Sequence, residues 1–353
     1  MSKYWSNLTA NLQPYIPGEQ PKDQKYIKLN TNENPYPPSP RVIEAIKQAA
    51  NDDLRLYPDP TCQQLCDTIA QYYGLRSNQV FVGNGSDEIL AFVFPAFFNP
   101  SQKILFPDIT YSFYPVYAQL YGQTYETVAV DEAFNIHAEH YCVPNGGIVI
   151  PNPNAPTAEY MTLPALRTIL DANRDQVVVV DEAYIDFGGQ SAITYINEYP
   201  NLLVVQTLSK SRSLAGLRVG MAYGHEDLIE GLNRIKNSFN SYTLDRLALA
   251  GAIAAFEDEA YFEETTAKVI ATREWSVNHL RELGFHVIES KANFVFASHP
   301  QALAADLFKQ LKEKGILVRY FNKPRIDQFL RISIGTDEEM EALISALHSL
   351  LGK

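Results

Sequence analysis

Two residues, Lys210 and Asp181, have the types and the spacing that first suggest chemistry. Lys210 follows the apolar run 202–205, and Asp181 ends the valine run 177–180. A lysine is strongly hydrated and seldom lies close behind an apolar run unless its amine has a partner or a covalent task. A lone loop lysine more often extends its charged end into solvent. The acid one predicted strand earlier shifts that balance, because the carboxyl ends of parallel strands face a common ligand crevice.

An amine and a carboxylate at one sheet edge are the pair that pyridoxal phosphate needs. The lysine would join the cofactor aldehyde covalently, and the acid would pair with the ring nitrogen, which keeps the ring an electron sink. At this point the sequence resembles the fold-type I pyridoxal-phosphate aminotransferases. The resemblance runs from Tyr15 to Arg331, nearly the whole chain. It implies that Lys210 is also the base that moves the substrate's proton.

The order of the predicted elements indicates an α/β fold like that of fold-type I aminotransferases. Predicted strands alternate with helical segments, which implies a large domain with a mostly parallel central sheet flanked by helices. A long helix over 260–283, ended by Gly284, would lead into a smaller α+β domain. We expect an N-terminal arm at 1–40, a large cofactor-binding domain at 41–262 and a small C-terminal domain at 263–353. The arm would pack with the small domain and a dimer partner.

Composition excludes several classes of protein. The chain has 353 residues, of which 46% are apolar, and its net charge is −12 without a run rich in lysine and arginine. This charge argues against nucleic acid or an anionic membrane as a partner. Three cysteines without paired Cys-x-x-Cys spacing or histidine clusters suggest neither a disulfide framework nor a zinc site, and no metal is expected. The sequence lacks the apolar core of a signal peptide and any run long enough to span a bilayer, which predicts a soluble, cytoplasmic protein.

A candidate phosphate cradle lies at 83–89, where glycines precede Ser86 and Asp87 at the start of an apolar helix. Small residues let an anion approach free backbone N–H groups, although the same pattern is also an ordinary helix cap. The resemblance adds further phosphate ligands. They are Thr207, Ser209, Arg218 and, from the other subunit of a homodimer with shared active sites, Tyr57.

The resemblance also assigns residues to the cofactor ring. Tyr111 would stack on the pyridine ring, and Tyr184 would donate to its phenolic oxygen. The turn at 151–158 departs from the family pattern, because Ala155 occupies the position of the usual second asparagine. We therefore predict Asn154 as the substitute donor.

Two arginines lie on apolar strands of the predicted small domain, Arg319 and Arg331. A guanidinium is always charged, so on a half-buried strand it must face an anion or solvent. The resemblance favours an anion. Arg331 would take the glutamate carboxylate or the substrate phosphate, while Arg319 and Tyr15 would complete the phosphate clamp, and the Asn34 region would approach the substrate.

The reaction implied by the resemblance is transfer of an amino group from L-histidinol phosphate to 2-oxoglutarate, in histidine synthesis. It would yield imidazole acetol phosphate and L-glutamate. An aromatic amino acid aminotransferase is the nearest alternative, since it would share every cofactor residue. A decarboxylase of a phosphorylated amino acid and a non-enzymatic sensor domain are further alternatives. The sensor would need a basic DNA-binding domain ahead of it.

Overall fold

The computed structural model describes residues 2–352; Met1 and Lys353, the outer ends of the predicted arm and small domain, lie outside the described residues. The strands are β1 (Ile27–Lys28), β2 (Val80–Asn84), β3 (Ile104–Pro107), β4 (Tyr125–Val128), β5 (Ile148–Pro151), β6 (Val178–Asp181), β7 (Leu202–Thr207), β8 (Val219–Gly224), β9 (His286–Val287), β10 (Phe294–Ser298), β11 (Ile316–Leu317), β12 (Arg319–Tyr320) and β13 (Phe329–Ser333). The helices are α1 (Asn7–Asn11), α2 (Pro40–Ala49), α3 (Gln63–Tyr73), α4 (Gly85–Phe97), α5 (Phe113–Leu120), α6 (Leu163–Ala172), α7 (Glu226–Phe239), α8 (Arg246–Glu257), α9 (Glu259–Glu282), α10 (Ala304–Glu313) and α11 (Asp337–Leu350).

The main sheet has seven strands in the order β2-β8-β7-β6-β5-β3-β4. All neighbouring pairs are parallel except those of β8, which runs antiparallel to β2 and β7. The expected mostly parallel sheet is therefore confirmed. Asp181 pairs in register with Val205 of β7, so the end of β6 and the loop after β7 lie at the same edge.

Helices cover both faces of this sheet, because alternate residues of a strand point to opposite sides. Val178, Val180 and Val204 pack into one buried cluster with α3, α6 and α8. Val179 and Val205 pack into a second cluster with α4 and α5 on the other face. A strand covered on both faces reads as an uninterrupted apolar run, as β6 and β7 do.

A second sheet, β12-β13-β10-β9, is antiparallel and belongs to the C-terminal part of the chain. Its core is shared with α9, α10 and α11. The strand of the arm, β1, pairs with β11. The sequence pattern predicts one strand over 317–320, but the structure divides it, since Leu317 pairs with β1 whereas Arg319 pairs with β13.

Other local expectations differ from the structure. The sequence pattern predicts a helix over 193–199, but the structure has only a short 3-10 turn, Ala192–Tyr195. Edge strand β4 was not predicted, because three of its four residues are exposed and it has no apolar run. The long helix ends as expected, with Gly284 in the left-handed region at φ 94°. Between residues 2 and 352 no helix has both the length and the apolar character needed to cross a bilayer.

Candidate active site

Most of the predicted site residues line one cleft at the carboxyl edge of the main sheet. The wall from the main-sheet side contains Ser86, Asp87, Tyr111, Asp181, Tyr184, Thr207, Ser209, Lys210 and Arg218. The opposite wall contains Tyr15 from the arm with Arg319 and Arg331 from the second sheet. Tyr57, Asn34 and Asn154 are not part of the lining.

Lys210 lies in the loop after β7 with its side chain half-buried. Its Nζ is 3.4 Å from the carbonyl oxygen of Thr31, to which it donates, and 5.8 Å from the ring centroid of Tyr184. No carboxylate among the described residues forms an ion pair with it. The amine is thus held by weak contacts inside the cleft, which leaves it available for reaction.

Asp181 is buried at the end of β6, with 6% of its surface exposed. Tyr114 donates its hydroxyl to Oδ2 at 2.8 Å, and the Ala183 amide donates to Oδ1 at 3.3 Å. Burial raises the pKa of Asp181 to about 6, and these hydrogen bonds offset part of that effect. A cation placed in the cleft would stabilise the charged form. The sequence did not identify Tyr114, although its spacing from Tyr111 is that of one helical turn.

Arg218 precedes β8, and its guanidinium lies beside the N-terminus of α4. It contacts Asp87 at 3.1 Å through Nη2 and Ser209 Oγ at 3.4 Å through Nη1. Its backbone is left-handed, with φ 55°, a conformation that a non-glycine residue adopts only where its surroundings impose it. Thr207 donates its hydroxyl to Ser209 Oγ at 3.0 Å, which links the remaining predicted phosphate ligands.

Two glycines allow this cation to lie against the helix N-terminus. A Cβ on Gly85, whose φ is 80°, would lie 2.7 Å from Arg218 Nη2. A Cβ on Gly220 would lie 2.4 Å from the backbone nitrogen of Ser86. The first amides of α4 have no partner within the helix, so together with Arg218 they form a cradle suited to a phosphate.

The aromatic residues predicted at the cofactor ring both line the cleft. Tyr111 donates its hydroxyl to Asp87 Oδ1 at 2.8 Å, and burial raises its pKa well above the usual value. The hydroxyl oxygen of Tyr184 accepts a hydrogen bond from Asn32 Nδ2 at 3.1 Å. Asn32 is a further cleft residue that the sequence did not single out.

The side chain of Asn154, the predicted substitute donor, is fully buried and does not line the cleft. Its Nδ2 donates to the carbonyl oxygen of Ile109 at 2.9 Å and to Thr157 Oγ1 at 3.0 Å. One amide hydrogen is therefore used inside the turn and the other in the loop after β3. The residues of this turn that line the cleft have no donor in their side chains; they are Pro151, Pro153, Ala155 and Pro156.

Asn34, predicted to lie in a region that approaches the substrate, does not itself line the cleft. Its Nδ2 donates to the carbonyl oxygens of Lys210 and Ser211, at 3.0 and 3.2 Å. The residues of this segment that line the cleft are Asn30, Thr31 and Asn32.

Arg319 and Arg331 are register partners on the neighbouring strands β12 and β13, so their side chains share one face of the sheet. Arg331 donates from Nη2 to the carbonyl oxygen of Asn30 at 2.9 Å, but its buried Nε has no partner. Burial lowers the pKa of Arg331, and neighbouring Arg319 adds to that effect. The guanidinium of Arg319 makes no hydrogen bond within residues 2–352, and its Cζ lies 5.3 Å from the ring centroid of Phe321. Two cations with unused donors are suited to an anion.

Tyr15 and Tyr57 have different environments. Tyr15 stacks on Phe113 with a centroid separation of 4.3 Å and lines the cleft beside the two arginines. Tyr57 is 78% exposed and stacks on Tyr242 at 4.7 Å, away from the cleft. Its contribution to the site of another subunit stays a prediction.

The cleft residues fit pyridoxal phosphate. An available amine, a buried acid whose charged form lacks a cation, and a glycine-lined cradle with an arginine correspond to the aldehyde, the ring nitrogen and the phosphate.

Comparison with known proteins agrees with this fit. The family model for class I and II aminotransferases matches residues 24–347. The chain therefore belongs to the class I and II aminotransferase family, and it is an enzyme that transfers amino groups.

Comparison with individual relatives gives a more specific similarity than the family does. The chain is 61% identical over 351 residues to the histidinol-phosphate aminotransferase of Clostridium beijerinckii, which covers 99% of this chain and 98% of the relative. It is 60% identical over 347 residues to that of Clostridium acetobutylicum, covering 98% and 99%. The crystal structure of histidinol-phosphate aminotransferase from Sinorhizobium meliloti in complex with pyridoxal-5′-phosphate superimposes with a TM-score of 0.89 at 22% identity, covering 100% of this chain and 98% of that one. This last likeness confirms the expected fold class.

Proposed function

We propose that the chain transfers an amino group from L-histidinol phosphate to 2-oxoglutarate with pyridoxal phosphate bound at Lys210. The observation that carries this proposal is one cleft that combines Lys210 and Asp181 with two arginines that have unused donors, Arg319 and Arg331. The full-length relatives named as histidinol-phosphate aminotransferases support it. An aminotransferase of a phosphorylated donor needs a second anion site beyond that of the cofactor, and the arginine pair meets this need.

Pyridoxal phosphate, when bound, supplies an aldehyde and a ring that withdraws electrons from the α carbon of the substrate. In the proposal, Asp181 would stabilise the positive charge at the ring nitrogen, and Lys210 Nζ would remove the proton from the α carbon of the amino donor. The phosphate would be held by Arg218, Ser209, Thr207 and the first amides of α4. Tyr111 and Tyr184 would contact the cofactor ring.

The substrate wall would discriminate between the two half-reactions. Arg331 is proposed to bind an anion in both of them, the phosphate of histidinol phosphate or a carboxylate of glutamate. Arg319 and Tyr15 are proposed to add contacts to the phosphate. Histidinol phosphate has no α-carboxylate, so it cannot be decarboxylated.

The proposal includes a homodimer with shared sites, in which Tyr57 reaches the partner's cofactor phosphate, and a location in the cytoplasm. The exposure of Tyr57 supports the donated role. We also propose the division into an arm at 1–40, a large domain at 41–262 and a small domain at 263–353. The separate buried cores of the two sheets support this division.

A panel of amino donors tests the proposal. The purified protein loaded with pyridoxal phosphate is given 2-oxoglutarate with histidinol phosphate, phenylalanine or tyrosine, and glutamate is measured. We expect histidinol phosphate to have the highest kcat/KM. Preference for phenylalanine or tyrosine would replace the proposal with the aromatic aminotransferase, and release of CO₂ from a phosphorylated amino acid without glutamate formation would replace it with the decarboxylase.

A further inference from the structure

Asn34 contacts the backbone that carries Lys210. Its side chain is half-buried, and its Nδ2 donates to the carbonyl oxygens of Lys210 at 3.0 Å and Ser211 at 3.2 Å. Its Oδ1 accepts from the amide of Tyr36 at 3.0 Å. The amide orientation is fixed by these partners, since nitrogen faces two acceptors and oxygen faces one donor.

A second tether acts on the same loop from the other side. Ser211, which is buried, donates its hydroxyl to Oδ2 of Asp186, which is half-buried. This contact fixes the side chain of Ser211, whereas Asn34 binds the two consecutive carbonyls. Of these two tethers, Asn34 is the one that contacts the backbone of Lys210, whose carbonyl oxygen also accepts a hydrogen bond from the amide of Ser213 at 3.4 Å.

We propose that Asn34 is a positioning residue for Lys210, an inference that rests on the proposed function. By holding the carbonyls of residues 210 and 211, its amide fixes the anchor from which the flexible lysine stem starts. The stem has four carbons, so an anchor that moves gives Nζ a wide range of positions. A displacement of the reacting atom by 1 Å can reduce a rate about 100-fold.

The rate at which Lys210 joins pyridoxal phosphate covalently depends most directly on the position of this backbone anchor. The neutral Lys210 amine attacks the aldehyde carbon, a C=N bond forms, and the carbonyl oxygen leaves as water with the two amine protons. Pyridoxine 5′-phosphate has an alcohol in place of the aldehyde, so it probes the same cradle without reacting with the lysine. The pair of probes separates the position of Lys210 from the integrity of the cleft.

The experiment compares Asn34→Asp and Asn34→Ser with the wild type and with Asn51→Asp. The aspartate retains an acceptor for Tyr36 but cannot donate to carbonyls. The serine adds no charge, and its shorter side chain withdraws the donor from the two carbonyls. Asn51 donates from Nδ2 to the carbonyl oxygen of Gln48 at 2.9 Å on the surface, so its variant makes the matched change elsewhere. Circular dichroism checks folding. The loading rate is followed by visible absorption and by borohydride reduction with peptide mapping.

We expect both Asn34 variants to load pyridoxal phosphate at least about tenfold more slowly, with the Kd of pyridoxine 5′-phosphate within twofold of wild type. Asn51→Asp should match the wild type in both measurements. Loading at the wild-type rate in both Asn34 variants would overturn the inference, as would slowing in the aspartate variant alone or a matching loss of pyridoxine phosphate affinity. Failure of the wild type to form a reducible adduct at Lys210 would instead overturn the proposed function.

Discussion

The two walls of the cleft differ in how far their polar groups are already satisfied. On the main-sheet side, Asp181 accepts from Tyr114, and Arg218 is paired with Asp87. On the opposite side, Nε of Arg331 is buried without a partner and Arg319 has only its contact with an aromatic ring in the part of the chain that the structure describes. The main-sheet wall, called the complete wall below, has its arginine paired and its buried carboxyl hydrogen-bonded without a ligand, whereas the opposite, incomplete wall has guanidinium donors that are unused.

This difference matches the proposed division of labour. A cofactor that stays bound through many turnovers benefits from a preorganised site, because no reorganisation is needed when charge develops. A substrate that must enter and leave can complete the hydrogen bonds of the arginines on arrival. A buried donor without a partner raises the free energy of the free enzyme, so an anion that accepts its hydrogen bond binds more tightly.

The largest expected effect is on the complete wall. Lys210→Ala should abolish the borohydride-reducible adduct and lower kcat by at least about 10³-fold, because covalent attachment and general-base catalysis are both lost. Absorption spectra, peptide mapping and kcat measure the result. Lys103→Ala, which removes an exposed lysine paired with Glu126, is the control. A labelled peptide that contains a lysine other than Lys210 would contradict the assignment.

Arg331→Ala tests the incomplete wall and should weaken both half-reactions. Each substrate is proposed to place an anion at this residue, and the loss of one partner of a buried charged pair costs about 2–5 kcal/mol. We expect kcat/KM to fall by a factor of ten for each 1.4 kcal/mol or so, with histidinol phosphate and with glutamate alike. Single-turnover spectra of each half-reaction measure this directly.

Arg319→Ala should separate the two half-reactions, because only the phosphate is proposed to use this residue fully. Glutamate should react at nearly the wild-type rate, whereas kcat/KM for histidinol phosphate falls. Arg319→Lys should restore only part of the loss, since an ammonium lacks the planar fork of the guanidinium. Unchanged turnover of histidinol phosphate in Arg319→Ala would favour the aromatic aminotransferase.

The pKa of Asp181 gives a prediction for the protein without cofactor. Its folded-state pKa of about 6 exceeds the ordinary value of 3.8, so the folded state binds its proton more tightly than the unfolded chain does. The contribution of Asp181 to stability therefore falls as pH rises from about 4 to about 6 and then stays constant. Above that window Asp181→Asn should be more stable than the wild type by up to about 3 kcal/mol.

Denaturant unfolding of both proteins at pH 4 and pH 8 measures this difference. Loading with pyridoxal phosphate should stabilise the wild type more than Asp181→Asn, because only a carboxylate pairs with a positive ring nitrogen. Equal stability of the two unloaded proteins at pH 8 would mean that the buried carboxylate carries no net cost.

The sequence was sufficient for the elements that carry Lys210 and Asp181. Uninterrupted valine and leucine runs are what a sheet covered on both faces requires, and a polar residue at the end of such a run must lie at the sheet edge. Arg319 and Arg331 could be placed on strands because apolar residues surround each of them in the sequence. Strand β4 could not, because an exposed edge strand has no apolar pattern to reveal it.

Side-chain direction separates Asn34 and Asn154 from the predicted residues that line the cleft. Both lie in segments that do approach the cleft, but a turn residue can point to either side of the chain. Asn154 bonds to Thr157 in its own turn and to the carbonyl of Ile109, and Asn34 binds carbonyls nearly 180 residues away in sequence, at Lys210 and Ser211. Neither pattern of hydrogen bonds has a sequence period, so only the structure could reveal them.

In the proposed homodimer, Tyr57 of one subunit would be added to the main-sheet wall of the other subunit's cleft. Mixed dimers of Tyr57→Phe and Lys210→Ala should regain activity above the mean of the two parents, because one of their two sites has both wild-type residues. Activity is measured after mixing at several ratios, with subunit exchange verified by a tag on one variant. Proven exchange without recovery would argue against a donated Tyr57.

The smallest expected effect distinguishes Asn154 from Tyr184. Asn154→Ala removes two buried hydrogen bonds from the turn, so it should lower the free energy of unfolding by about 1–3 kcal/mol. It should leave the pH titration of the lysine-bound cofactor's visible absorption unchanged, because its amide does not reach the cleft. Tyr184→Phe should shift that titration with less effect on stability, since its hydroxyl lines the cleft and its ring remains packed on Phe294. A spectral shift in Asn154→Ala as large as that in Tyr184→Phe would return Asn154 to the cofactor site.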